Sequence, residues 1–300
     1  MAEGPPARGW IDPNWPPPGG DGDASIIIYG YTPSFALGVL GCVLFSIAGI
    51  AHGVQLLKHR SWYLSTMMVG LAFEIVGYIF RCLSARINPY KVSYFVVQYF
   101  FIVVAPVFFA AAIYTVLSLL IDATGRQNAP LKPRLILWIF ITCDVIATIV
   151  QIFGAALIGV ASSNRKDTTA PNNILLGGLA FQAFTFLVFI ILFVSHMAKA
   201  RRVMFRTVSK AFYISFSLAV ILFYLRVCFR LAETAEGLFG HLNTHEVFFG
   251  TLEFMPVVLA TWLLAVWYLG RCVLCASTMN VGDLEAESPG EKKRGRGFGL

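Results

Sequence analysis

The stretch Ser215-Phe-Ser-Leu-Ala-Val-Ile-Leu-Phe-Tyr-Leu-Arg226-Val-Cys-Phe-Arg230-Leu-Ala-Glu233 is apolar enough to lie across a bilayer, yet it carries two arginines. On a helix, residues four apart stack on one face, so Arg226 and Arg230 point the same way, and Glu233, seven residues after Arg226, joins them. A charge at the centre of a membrane helix costs about 2.5–3.5 kcal/mol on insertion scales, and such groups face a bundle interior or a watery cavity. This segment therefore needs partners: carboxylates on other helices, water, or an anionic ligand.

Six more stretches of similar character surround it. The apolar runs fall near 33–57, 62–81, 92–120, 134–160, 174–198, 208–232 and 246–270, each with the roughly 20 residues that cross the hydrocarbon. The chain is 57% hydrophobic and 13% charged, against about 25% charged in an ordinary soluble domain. The pattern predicts an all-α, seven-transmembrane helix bundle over 33–272. Residues 1–32, rich in Pro and Gly (Pro16-Pro-Pro-Gly-Gly20), are expected to form a flexible extracellular tail, and 273–300 a disordered basic cytosolic one. No basic segment followed by an apolar run precedes the first span, so no signal peptide is read.

Orientation follows from Lys and Arg. Six lie in the N-terminal tail and the second, fourth and sixth loops; fifteen lie in the first, third and fifth loops and the C-terminal tail. The N-terminus is expected outside and the C-terminus in the cytosol. The same topology accounts for the net charge of +7, so nucleic acid is not expected as a partner. The cysteines show no disulfide framework. Cys272 and Cys275 sit just inside the cytosolic face, where palmitoylation is one reading and an unmodified juxtamembrane pair the other.

The polar residues within the spans are Glu74, Arg81, Gln98, Asp144, Gln151, Gln182, Arg226, Arg230 and Glu253, with Glu233 and Glu246 near the span ends. With odd spans running inward and even spans outward, most fall from the midplane to the outer third; Asp144 alone lies in the inner half. Shared depth points to a polar cavity at or beneath the outer leaflet; a set of ion pairs that merely holds the bundle together is the alternative. Guanidinium forks suit phosphate or carboxylate, with Glu74, Glu233 or Glu253 neutralising them in the empty site. Gly77 lies between Glu74 and Arg81, where small residues permit close helix approach. Pro106 and Pro256 are expected to kink their helices.

His241 and His245, four apart beside Glu246, fit metal or haem ligation only on a regular helix, which Gly237 and Gly240 oppose; Glu246 as an N-terminal carboxylate of the last span is the competing reading. No metal or cofactor is expected. The sequence lacks G-x-x-x-x-G-K-[ST], G-x-S-x-G and H-E-x-x-H, so neither ATP-driven transport nor a familiar hydrolase is read from motifs.

Five segments then carry a resemblance: Glu74-Ile-Val-Gly-Tyr-Ile-Phe-Arg81; Ala105-Pro-Val-Phe-Phe-Ala-Ala-Ala-Ile-Tyr114; Asp144 with Gln151-Ile-Phe-Gly-Ala; Gly177-Gly-Leu-Ala-Phe-Gln182; and Phe229-Arg230-Leu-Ala-Glu233 leading to Gly237, Glu246 and Met255-Pro256. In this order, over about 29–272, the chain resembles the fungal lipid-translocating exporter (RTA-like) family. The resemblance implies seven spans with an outside N-terminus, a plasma-membrane address, and movement or export of sphingoid bases and other lipids. It also implies resistance to toxic amphiphiles and, in one branch, porphyrin or haem exchange. Its motif residues carry over to Glu74, Arg81, Asp144, Gln151, Gln182, Arg230, Glu233 and Glu246. One departure is Glu253 in Phe249-Gly-Thr-Leu-Glu253-Phe-Met-Pro256, where the family often has an aspartate.

The function expected is ATP-independent translocation of an amphiphilic lipid, sphingoid-base-like or phospholipid, with no enzymatic activity. Membrane lipids and an amphiphilic small molecule are the expected partners, and a homo-oligomer is allowed. Three rivals remain open: a porphyrin or haem carrier, a seven-span receptor or lipid sensor, and a membrane-embedded lipid hydrolase.

Overall fold

A computed structural model describes residues 12, 15–124, 132–163, 169–207, 209–237 and 240–267. Cys272, Cys275 and the basic C-terminal segment lie outside the described residues. Six long helices come first: α1 (Phe35–His59), α2 (Ser65–Arg86), α3 (Val92–Thr124), α4 (Pro133–Ser163), α5 (Thr169–Thr207) and α6 (Lys210–Glu236). Two short helices follow, α7 (His241–Thr244) and α8 (Glu246–Phe248), then a π-helical turn, Phe249–Phe254, and α9 (Met255–Val266). No strand occurs among the described residues, and seven segments are long and apolar enough to cross a membrane. The seventh is Glu246–Val266, made of α8, the π turn and α9.

Each helix packs on its neighbour in sequence, and α1 meets α9 to close the ring. The third span is apolar all round and is the most buried of the seven, as expected of a helix with no lipid-facing stripe. It contacts α2, α4 and α5. One face of the bundle, here the N-terminal face, holds the start of α1 and the C-terminal ends of α2, α4 and α6.

The proline expectations resolve differently. Pro106 sits inside an unbroken α3. Pro256, lacking an N–H, follows a widened turn in which the Met255 N–H bonds Gly250 O, five residues back. A π turn re-aims side chains and is common at functional sites; here Phe249, Glu253 and Phe254 all turn inward.

The segment preceding α1, read from composition as a flexible tail, folds back over the N-terminal face from residue 15 onward. Ile27, Tyr29 and Tyr90 form a small core there, joined by Trp15, Tyr31 and Phe95. Ala24 N donates to Tyr90 O and Val92 N to Gly22 O. Asn88 Nδ2 donates to Asp23 Oδ1 at 2.8 Å, which holds the Asp23 carboxyl below its ordinary value.

Small residues let the helices approach. A Cβ at Gly77 would stand 2.7 Å from Ile102 Cγ1, whereas one at Gly177 would meet nothing within 4 Å. Overfilling a packed interior costs about 1–3 kcal/mol. Gly77→Val is therefore expected to lower the thermal midpoint in detergent clearly, and Gly177→Ala to leave it unchanged. Equal midpoints for both variants would show that the α2–α3 contact is not tight.

Candidate functional site

The π turn and α6 place Glu253 against both arginines. Arg226 donates from Nε at 3.0 Å and from Nη2 at 2.7 Å to Glu253 Oε1. Arg230 donates from Nε to Oε2 and from Nη2 to Oε1, both at 3.0 Å. The Nη1 of Arg230 donates to Glu233 Oε2 at 2.9 Å, one turn along α6. Arg226 Nη2 also reaches the carbonyl of Ile102 at 2.9 Å, tying α6 to α3. The ring of Tyr99 lies 5.5 Å from Arg230 Cζ, within cation–π range. All four charged side chains are buried.

Glu74 belongs to this cluster by field and not by hydrogen bond. It is 2% exposed and feels Arg226 most, then Glu253 and Arg230. It accepts no hydrogen bond among the described residues. Arg226 and Arg230 are already balanced by Glu233 and Glu253, so Glu74 is a surplus carboxyl.

A second cluster lies at the N-terminal face. Arg81, with no exposed surface, donates from Nη2 to Tyr31 Oη at 3.0 Å and to Glu246 Oε1. Its Nε and Nη1 have no hydrogen-bond partner among the described residues; the Phe249 ring lies 4.2 Å from Cζ instead. Glu246 also accepts from Ser34 N at 2.9 Å at the start of α1. Tyr29 donates to Gln98 Oε1. Burial pushes the Tyr29 hydroxyl up to about 12 and raises that of Tyr31, so both stay neutral at physiological pH.

The remaining site candidates stand apart. Asp144, 1% exposed, accepts from Tyr114 Oη at 2.7 Å, and its Oδ1 has no partner among the described residues. Gln151 Nε2 donates to Gln182 Oε1 at 2.9 Å, between α4 and α5. Gln182 borders a narrow cleft with Pro106, Ala110, Phe186, Phe223 and Val227.

Eleven residues expected at one site thus divide into four groups: Glu74, Arg226, Arg230, Glu233 and Glu253; Arg81 with Glu246, and Gln98 through Tyr29; Asp144; and Gln151 with Gln182. An open polar cavity is not what this state holds. Arg226 and Arg230 are engaged by Glu253, Glu233 and the Ile102 carbonyl, and the cleft beside Gln182 has mostly apolar walls. His241 and His245 stack ring on ring at 4.2 Å, and no group of three or more metal-ligating side chains occurs among the described residues. Tyr29, Tyr31, Tyr99 and Tyr114 were not singled out from sequence. The signal for the first two was present, as an aromatic pair flanking Gly30 after three isoleucines.

Seven apolar helices around a buried, ion-paired interior define a multi-pass integral membrane protein. The family described as RTA1 like protein matches residues 67–275, most of the chain. The chain belongs to that family. The sphingoid long-chain base transporter RSB1 of Saccharomyces cerevisiae (strain Lalvin EC1118 / Prise de mousse) is 26% identical, covering 80% of this chain and 73% of the relative. The probable lipid transporter atnI of Emericella nidulans is 27% identical over 88% of this chain and 68% of its own length. Protein RTA1 of Saccharomyces cerevisiae is 26% identical over 80% and 84%. No solved structure matches.

Proposed function

We propose that this protein moves a single-chain cationic lipid of the sphingoid-base kind between leaflets, without ATP. The observation that carries the reading is the charge count at the Glu253 cluster: three buried carboxyls face two buried guanidiniums. Each guanidinium nitrogen of Arg230 donates to a carboxylate, so a phosphate must displace Glu253, whereas an ammonium finds a carboxyl already without a hydrogen bond. The names of the relatives RSB1 and atnI agree with a lipid as cargo. The head group is bound by Glu74, Glu233 and Glu253 with Arg226 and Arg230 behind them. Arg81, Gln98 and Glu246 line its way to the N-terminal face, which the Lys and Arg bias reads as the non-cytosolic side; the membrane that the family resemblance implies is the plasma membrane. The apolar cleft at Pro106 and Phe223, bordered by Gln151's partner Gln182, receives the chain, and Asp144 lies deeper along the path.

Proteoliposomes with a fluorescent sphingoid base on one leaflet test this. Protein-dependent movement of the amine, and little movement of a phosphatidylcholine probe, is the expected result. Equal movement of both probes removes the head-group selectivity, and movement of neither leaves a receptor of the same topology as the better reading.

A further inference from the structure

We propose that Glu74 exchanges the ammonium of the cargo for a proton, so that lipid movement is driven by, and drives, a proton gradient. The inference rests on the transport reading above and adds its energy source. Its ground is the arrangement of charge around one side chain. Glu74 lies in the field of Arg226 and Arg230 on α6 and of Glu253 on the seventh span. From its own helix it faces Tyr78, one turn on. The α3 side brings the Arg226-bound carbonyl of Ile102 and, against Gly77, the Ile102 side chain. On α1, His52 bonds Thr261 O and Cys42 lies with Cys82, and Lys58 and His59 stand in the helix's last turn, at the opposite end from the N-terminal face.

Both guanidiniums are spent on Glu253 and Glu233, so an ionised Glu74 would be one negative charge without a balancing neighbour. A buried charge in that position is expensive unless paired. Two occupants remove the cost: an alkylammonium, which pairs with the carboxylate, or a proton, which neutralises it. They exclude one another. Binding R–NH3+ therefore releases H+ from the carboxyl, and release of R–NH3+ takes one H+ back. One positive charge crosses each way, and no net charge moves. The surroundings suit the cation as well. Tyr78 packs with Phe45 and Phe254 at ring separations of 5.5 and 5.4 Å. Aromatic faces and a phenol beside a carboxylate are favourable company for an ammonium.

The test uses the full chain in proteoliposomes with a pH dye inside. The probe is a single-chain lipid with a permanently charged trimethylammonium head, which carries no proton of its own. Wild type is expected to move the probe inward with about one proton leaving per probe molecule, as pairing at a single carboxyl requires. A pre-set pH gradient of either sign is expected to speed or slow the movement. Glu74→Gln is expected to abolish the proton signal, and Glu74→Asp to retain it at a lower rate. Thermal midpoints of both variants in detergent establish that they fold. Probe movement by wild type with no proton signal overturns the exchange and leaves the transport reading intact. A full proton signal in a folded Glu74→Gln overturns it equally. No probe movement by wild type overturns both.

Discussion

Replacing Glu253 with alanine is expected to cost about 3–5 kcal/mol of stability, the range for removing one partner of a buried ion pair. It should fall at the upper end or beyond. Glu253 Oε1 alone accepts from Arg226 Nε, Arg226 Nη2 and Arg230 Nη2, and Oε2 accepts from Arg230 Nε. Without the carboxylate, two guanidiniums that shared one oxygen are left side by side, with Glu233 reaching only Arg230. The π turn adds to the loss, because its widened geometry points this side chain inward. Thermal unfolding in mild detergent measures the effect, and an unchanged midpoint would mean that the cluster does not hold the bundle. A variant with Met at all five positions of the cluster (Glu74, Arg226, Arg230, Glu233 and Glu253) separates fold from function, because it leaves no buried carboxyl without a cation. Buried ion clusters replaced whole by apolar residues of similar volume are often neutral or stabilising. The five-fold variant should therefore fold as well as wild type and fail to move lipid. If it moved lipid at the normal rate, the cluster would be structural only.

The sequence made the bundle readable because hydropathy is a one-dimensional property: each span's apolar run is long enough to speak for itself. The expected bounds of the second, third and fourth spans agree with the helices to a few residues. That of α5 began at 174 whereas the helix begins at Thr169, since a helix does not stop where hydrocarbon does. The arginine face of α6 was equally legible, because spacing within one helix fixes direction. Partnership between helices was not. Nothing in the spacing says that Glu253 takes both arginines and that Glu74 is left over, because that depends on the rotation of α2 and on a π turn that shifts the register of every residue before Pro256. Depth grouped Gln151 and Gln182 with the charges, yet they sit between α4 and α5 and satisfy each other. The N-terminal segment was the least legible. Its glycines and prolines carry no period, and its order comes from Tyr29 and Tyr31 meeting residues 69 and 50 positions away.

The second large effect is expected at Arg81. Substituting alanine removes a side chain that joins three parts of the chain: Tyr31 of the N-terminal segment, α2 itself, and Glu246 with Phe249 at the start of the seventh span. The stability loss should be smaller than at Glu253, about 2–3 kcal/mol, because the Glu246 side chain is 24% exposed and meets water once unpaired. Its location should be distinctive. Backbone hydrogen exchange is expected to rise sharply across 22–31, where Ala24 N and Gly30 N are protected by Tyr90 O and Ile27 O, while the middle of α3 keeps its protection. Arg81→Lys retains the charge and loses the planar fork, so an intermediate rise is expected. Protection of 22–31 unchanged in Arg81→Ala would show that the aromatic core of Ile27, Tyr29 and Tyr90 holds the segment unaided. A rise there carries a consequence for the interior. Phe249, against which Arg81 lies, is four residues before Glu253 on the same π turn. Freeing one end of that turn loosens the carboxylate at the other, so the segment over the N-terminal face and the buried arginine cluster are expected to open together.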